Sequence, residues 1–427
     1  MTVAERVGQT HSAPSGSSSR ATPAQLRVFS LIILAVALAA GIVASLTMSN
    51  RAATTERIRT VDQPSIIVAR EVQASLAEAD ASAATAFLAG GVENADQRLR
   101  YEAAVRDAEA SMSELAALVA DENAPSVVEI QQAVSVYTGL VETARVNNRQ
   151  GFPVGAAYLS NASALLTNEV YPLTDSVAND QAERYRSDVE DLVGIGIAGP
   201  VLAIALIVVL VAALLRTQGY ISVKFRRRIN VPLVLGTLVS IVLAAWLSIA
   251  VWTQTTRTTD ARDESHRTIR EFVDARSLAF RTKAAESRFL IARGGETTAS
   301  FDAEAARTTE AIDRALEAEN SRSSGAVSAN LDEWDAYLAT HASIIAALDD
   351  GQRNEAEALA LGASSTTFDA VDRALVELLE RNQSDFRRTS DSAHEASDFL
   401  VLGSLLLANA AAILAFVGIQ PRINEYP

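Results

Sequence analysis

Four stretches without a charged residue interrupt an otherwise polar chain: Val28–Met48, Leu192–Leu215, Val231–Trp252 and Phe399–Ile419, of 21, 24, 22 and 21 residues. About 20 apolar residues in a helix cross the ~30 Å hydrocarbon core of a bilayer. Each run therefore predicts a transmembrane helix. Between the first two lies a polar insert, residues 49–191, and between the last two a second, residues 253–398. In the second insert Phe272, Leu278 or Ala279, Ala285, Phe289 and Ala292 recur at helical steps with charges between them, the pattern of an amphipathic helix. Breakers cut each insert into four. In the first these are Gly90-Gly91, Asp121–Pro125 and Asn147–Gly155, and in the second Gly294-Gly295, Asn320–Gly325 and Asp349–Gly351. Asn94 with Gln97, and Ser126 with Glu129, have capping-box spacing.

The equal order of helices and breaks, with "AFLAGG" at 86–91 against "LIARGG" at 290–295, marks an internal repeat. The expected fold is an all-α membrane protein, with four transmembrane helices and two extracytoplasmic four-helix bundles in tandem. The first helix of insert one, about 38 residues, would rise ~55 Å from the membrane. Pro64 and Pro172 fall inside long helices, where proline removes a hydrogen bond and is expected to kink the chain.

Charge sets the orientation. Residues 216–230 carry Arg216, Lys224, Arg226, Arg227 and Arg228 and no acid, and residues 1–27 carry three Arg against Glu5. Short basic segments stay in the cytoplasm. The tail 1–27, the linker 216–230 and the ending 420–427 are thus expected inside, and both inserts outside a plasma membrane. Each insert is acidic: 11 basic against 22 acidic residues in the first, 17 against 28 in the second. That argues against nucleic acid, which needs a basic footprint. The first apolar run is too long for a typical signal core and is read as uncleaved. The cytoplasmic parts, a 15-residue linker and short tails, are too small to house an enzyme, so any output is expected to pass to another protein.

Catalytic chemistry is not legible. The chain has no cysteine, which excludes disulfides and thiolate ligands. His266, His341 and His394 belong to no paired-ligand motif and read as solvated helix residues. The Gly194–Gly199 lettering of a dinucleotide fingerprint falls inside an apolar run without the strand it needs. Its glycines suit close helix packing. Small residues at four-residue steps (Ala37, Gly41, Ser45; Gly236, Ser240, Ala244, Ser248; Ser404, Ala408, Ala412) suit the same purpose in lipid. The acids around Trp334 read as a solvated face. No enzyme activity, cofactor or metal is expected.

Candidate contacts are therefore surfaces. The bundle tips carry Asn94, Asn147, Asn148, Arg149, Gln150 and Phe152 in the first insert and Glu296, Asp349 and Arg353 in the second, donors and acceptors with one aromatic. On the inside, Lys224, Arg226, Arg227, Arg228, Arg422 and Tyr426 are the available contacts. Two further readings remain: a direct receptor with a ligand pocket between helices, and a non-switching envelope scaffold.

Span, external helical bundle, span is the layout of the input half of bacterial chemoreceptors, and each half of this chain resembles it. That resemblance implies that an arginine between helices could hold a ligand carboxylate, with Arg70, Arg281 and Arg288 at the corresponding positions. In length, Arg-rich composition and the "QPRINEY" ending, the whole chain resembles an actinobacterial family of four-span proteins. That family works between a glutamine/glutamate-binding lipoprotein outside and the soluble Ser/Thr protein kinase G inside. The resemblance implies an amino-acid signal relayed through a lipoprotein partner to a cytoplasmic kinase. Two tandem units could replace the two subunits of a receptor dimer, so that a monomer suffices.

Overall fold

A computed structural model describes residues 21–90, 95–119, 123–193, 198–225, 230–256, 258–292, 298–322 and 331–424. Among them there is no strand. The helices are α1 (Ala21–Arg57), α2 (Gln63–Leu88), α3 (Ala95–Leu118), α4 (Ala124–Arg149), α5 (Val154–Leu165), α6 (Tyr171–Val193) and α7 (Ala198–Phe225). They continue with α8 (Val231–Thr256), α9 (Thr258–Ile291), α10 (Ala299–Arg322), α11 (Asp332–Asp349), α12 (Arg353–Leu359) and α13 (Ser365–Asn424). Single π-helical turns, Ile58–Asp62, Leu166–Val170 and Ala360–Ser364, join α1 to α2, α5 to α6 and α12 to α13.

The chain divides into two compact units. The apolar unit comprises Met1–Arg51, Gly194–Thr253 and Ser397–Pro427. Three described helical stretches are long and apolar enough to cross a membrane. They lie in the Val28–Leu88 helix, at Ala198–Tyr220 and at Val231–Ile249. Their packed faces interlock Ile33, Ala37, Ala40, Ala44 and Met48 of α1 with Leu210, Leu214 and Ile207 of α7 and Leu233, Leu243 and Leu247 of α8. Of the Ala37, Gly41 and Ser45 face expected for α1, Ala37 is buried and Gly41 and Ser45 are half-buried, while the rest of the buried stripe falls at Ala40, Ala44 and Met48. On α8 Ser240 is buried but Ser248 is exposed. Gly199 does serve close packing, since a Cβ there would lie 2.6 Å from Thr47 Oγ1.

The polar unit comprises Ala52–Val193 and Gln254–Ala396, so both inserts form a single body. Repeat one packs α2, α3, α4 and the α5–α6 helix around Leu76, Leu115, Ile130, Tyr137, Leu159 and Leu166. Repeat two packs α9, α10, α11 and α13 around Phe272, Phe280, Ile312, Trp334, Tyr337 and Phe368. The first helices of the two repeats, α2 and α9, run against each other. Their facing positions are mostly small: Ala77 and Ala81 join the core of repeat two, and Ala74 meets Ile269 and Val273. Alanine costs no side-chain entropy in a helix and lets two backbones approach. With neighbours all round, α2 is buried over most of its circumference.

Both prolines expected to distort their helices fall beside a widened helical turn. Pro64 and Pro172 each stand two residues after a π turn. A proline ring clashes with the carbonyl four residues back, here Thr60 and Asn168, both within the widened turn. The π turn supplies the extra residue that absorbs the clash. Repeat two has its π turn at Ala360–Ser364 without a proline. Ser126 and Glu129 form no capping box, because α4 already begins at Ala124 with Pro125 in its first turn.

Candidate functional site

The connection between third and fourth helices has one geometry in both repeats. Gly151 and Gly351 sit at φ +74° and +75°, the left-handed region that glycine enters without strain. Phe152 N–H donates to Asn147 O at 2.9 Å, and Gln352 N–H to Ala347 O at 2.7 Å. Each turn is tied to the end of its own first helix: Asn148 Nδ2 donates to Phe87 O at 2.9 Å, and Arg353 donates to Leu290 O. Asn148 and Arg353 therefore have internal structural partners. Arg149, Gln150 and Phe152 face solvent. Phe152, 53% exposed, and Val154, 49% exposed, form an apolar knob, whereas the matching turn of repeat two carries Asp349 and Asp350. Asn94, Glu296, Arg226, Arg227, Arg228 and Tyr426 lie outside the described residues, and for Lys224 and Arg422 only the helix is described.

Charged side chains concentrate at the seam between the repeats. Arg70 on α2 pairs with Asp175 of its own fourth helix and, at 3.5 Å, with Asp274 of α9. Arg276 on α9 mirrors this, pairing at 2.7 Å both with Asp372 of its own fourth helix and with Glu78 of α2. Burial raises the Asp274 and Glu78 carboxyls, and the neighbouring guanidinium offsets part of that in each. Further along the two helices, Arg288 of α9 reaches Asp80 of α2 at 2.7 Å. Asp80 also accepts from Ser163 at 2.6 Å. Thr85 and Ser287 hydroxyls meet at 3.3 Å. Arg281 pairs with Glu304 at 2.9 Å and lies over the Tyr171 ring. The three arginines singled out for a carboxylate ligand thus each hold an internal carboxylate, and Arg70 and Arg288 do so across the seam.

A second cluster lies wholly inside repeat two. Lys283, one of two lysines in the chain, is buried. It donates to Glu286 at 2.7 Å, to Ser364 at 2.8 Å and to Ala360 O at 3.3 Å. The π turn exposes that carbonyl to it. Ser364 donates to Glu286 at 2.6 Å, and His341 Nδ1 lies 2.9 Å from the other Glu286 oxygen. The His341 ring stacks on Phe301. Burial alone would raise the Glu286 carboxyl, but the Lys283 charge and the hydrogen bonds from His341, Lys283 and Ser364 overcome it and hold it at about 2. His341 is therefore a buried partner rather than the solvated residue expected from sequence. His266 is half-buried, and the side chain of His394 lies outside the described residues. Around Trp334, Asp332 and Asp335 do face solvent while the indole is buried.

Residues 54–190 match the family model of an actinobacterial sensor domain. This span is the polar part of repeat one, with the Gly151 turn and the α2 side of the seam. The chain is thus similar to actinobacterial sensor proteins over that repeat, and a sensing role follows at that level. Neither a curated protein nor a solved structure matches the chain.

Proposed function

We propose that the protein is a plasma-membrane signal relay rather than an enzyme. Its polar unit lies outside the cell and receives a solute-binding lipoprotein at the bundle tips, reporting amino-acid availability. The output passes to a cytoplasmic Ser/Thr kinase through the basic linker 216–230 and the ending 420–427. In this reading the Phe399–Ile419 run is a fourth span and both chain ends are inside. Support for that span comes from Leu406, Ile413 and Phe416, which are apolar and exposed on α13, as a lipid-facing surface requires. The tandem repeat replaces a receptor dimer, so one chain is the working unit.

The observation that carries the proposal is the seam. A sensor-like repeat is joined to its twin by paired charges on α2 and α9, and α2 follows directly on a helix of membrane-spanning length. Ion pairs fix register and exchange partners at small displacements, so such an interface suits two alternative packings. Ligation at a tip would favour one of them.

Mild crosslinking in the native membrane, purification and mass spectrometry test the relay. Recovery of an extracytoplasmic solute-binding protein together with a Ser/Thr kinase is the expected result. Alanine at Arg149, Gln150 and Phe152 should remove the binding protein while the chain stays in the membrane. Recovery of neither partner would contradict the proposal.

A further inference from the structure

A cavity of about 330 Å³ lies between the repeats, walled by α2 and α3 of repeat one and by α9 and α13 of repeat two. That volume is at the lower end of small-molecule sites, ~300–1,000 Å³. One wall is aliphatic, where buried Ala74 and Val273 meet with Leu379 packed on them. The other is acidic. Glu71 of α2 is half-buried and Asp107 of α3 is exposed at the rim. Neither carboxylate has a hydrogen bond or an ion pair among the described residues. The cation of the lining is Arg276, already held at 2.7 Å by Glu78 and at 2.7 Å by Asp372. Burial raises the Glu71 carboxyl and the nearby Glu114 charge adds to it, against a partial offset from Arg276. Ser75, one turn along α2 from Glu71 and on the same face, also lines the cavity. It is 9% exposed, and its hydroxyl has no hydrogen-bond partner among the described residues. A polar group so deeply placed is ordinarily satisfied, so its partner must come from outside the chain.

We propose that this cavity binds a small organic cation, a primary ammonium on a short aliphatic body. The proposal goes beyond the relay and does not rest on it. Charge sets the sign of the ligand. Four carboxylates (Glu71, Glu78, Asp107 and Asp372) meet one guanidinium, and an anion would have to draw Arg276 away from two of them while facing the other two. A zwitterion would bring its own carboxylate against Glu71. A metal ion lacks its ligands, since no three His, Asp or Glu side chains are grouped to hold one among the described residues. An ammonium has three N–H donors and no acceptor, and the cavity offers the Glu71 and Asp107 carboxylates and the Ser75 hydroxyl to receive them. Hydrogen bonds between two charged groups are the strong ones. The carbon body then lies on Ala74, Val273 and Leu379. An occupant touching both repeats favours the packing in which α2 and α3 close on α9 and α13.

The test is calorimetry on the full chain in nanodiscs of neutral lipid, with butylammonium and 1,4-diaminobutane as probes and butyrate, alanine and magnesium as comparisons. At least one of the two amines should bind saturably at one site per chain, and none of the three comparisons should displace it at equal concentration. Glu71→Gln and Asp107→Asn should each weaken binding roughly tenfold or more, the loss of one charge-assisted contact. Ser75→Ala should weaken it by a smaller factor. Glu109→Gln, which removes an exposed acid of α3 outside the lining, should leave binding unchanged. Glu71→Gln takes away a half-buried charge without a partner, so its melting temperature should not fall; Asp107→Asn, at the exposed rim, is the independent variant. No saturable binding of either amine up to millimolar concentration would overturn the proposal. So would displacement by magnesium, an equal loss in Glu109→Gln, or binding that survives both Glu71→Gln and Asp107→Asn.

Discussion

Lys283 shows how a single residue's meaning depended on what covers it. On sequence it is one of the charges spaced between apolar positions of α9, and such charges normally face water. In the folded chain the opposite face of α9 is also covered, by α2 of the other repeat and by α13, so the charge is inside. The same covering turned His341 from an expected surface residue into a partner of Glu286. One signal was present: a lysine in a chain of 35 arginines, flanked in sequence by Thr282, Ala284 and Ala285. Removing one member of a buried pair leaves a charge without compensation, at a cost of about 3–5 kcal/mol. Lys283→Met should therefore lower the melting temperature sharply. Lys283→Met combined with Glu286→Leu should recover much of the loss, as thermal melts of the two variants would show. Equal melting of Lys283→Met and the parent would mean the cluster is hydrated rather than buried.

At the scale of elements, the helical class and most breaks were legible because glycine, proline and asparagine punctuate the chain. The π turns were not. Hydrophobic period carries no mark of one extra residue in a turn, and the two prolines signalled distortion without its form. The first turn also contains a titrating group. Asp62 closes the turn Ile58–Asp62 and hydrogen-bonds with Asp188, which is held in turn by Arg57 at 2.7 Å. Burial, that hydrogen bond and the Asp188 charge raise the Asp62 carboxyl to about 6. The folded chain thus keeps a proton that the unfolded chain has already released between the ordinary carboxylate range and pH 6. Stability from this group is fully present below that window and is lost as pH rises through about 6. Melting temperatures taken from pH 4 to 7 should fall for the parent relative to Asp62→Asn. Parallel curves would show that the two carboxyls do not share a proton.

For the whole molecule, the repeat was readable in sequence, but the union of its halves was not. Nothing in the spacing of α2 or α9 names the other as neighbour, because alanine suits close packing and solvent alike. Only the side chains brought together disclose it: Arg70 with Asp274, Arg276 with Glu78, Arg288 with Asp80. The turn between the third and fourth helices of repeat one, by contrast, could be located from Asn147–Gly155 alone, since its glycine and proline dictate a local shape. In the proposed relay, sensing is a change in how two fused bundles meet.

The most direct test uses the absence of cysteine. Thr85→Cys with Ser287→Cys replaces hydroxyls 3.3 Å apart on α2 and α9, and a protease site placed in the linker 216–230 allows the halves to be cut apart. Mild oxidation in native membranes followed by cleavage should leave the halves joined on a non-reducing gel and separate them after reduction. Halves that separate without reduction, while both cysteines remain reactive to a thiol label, would contradict a shared seam.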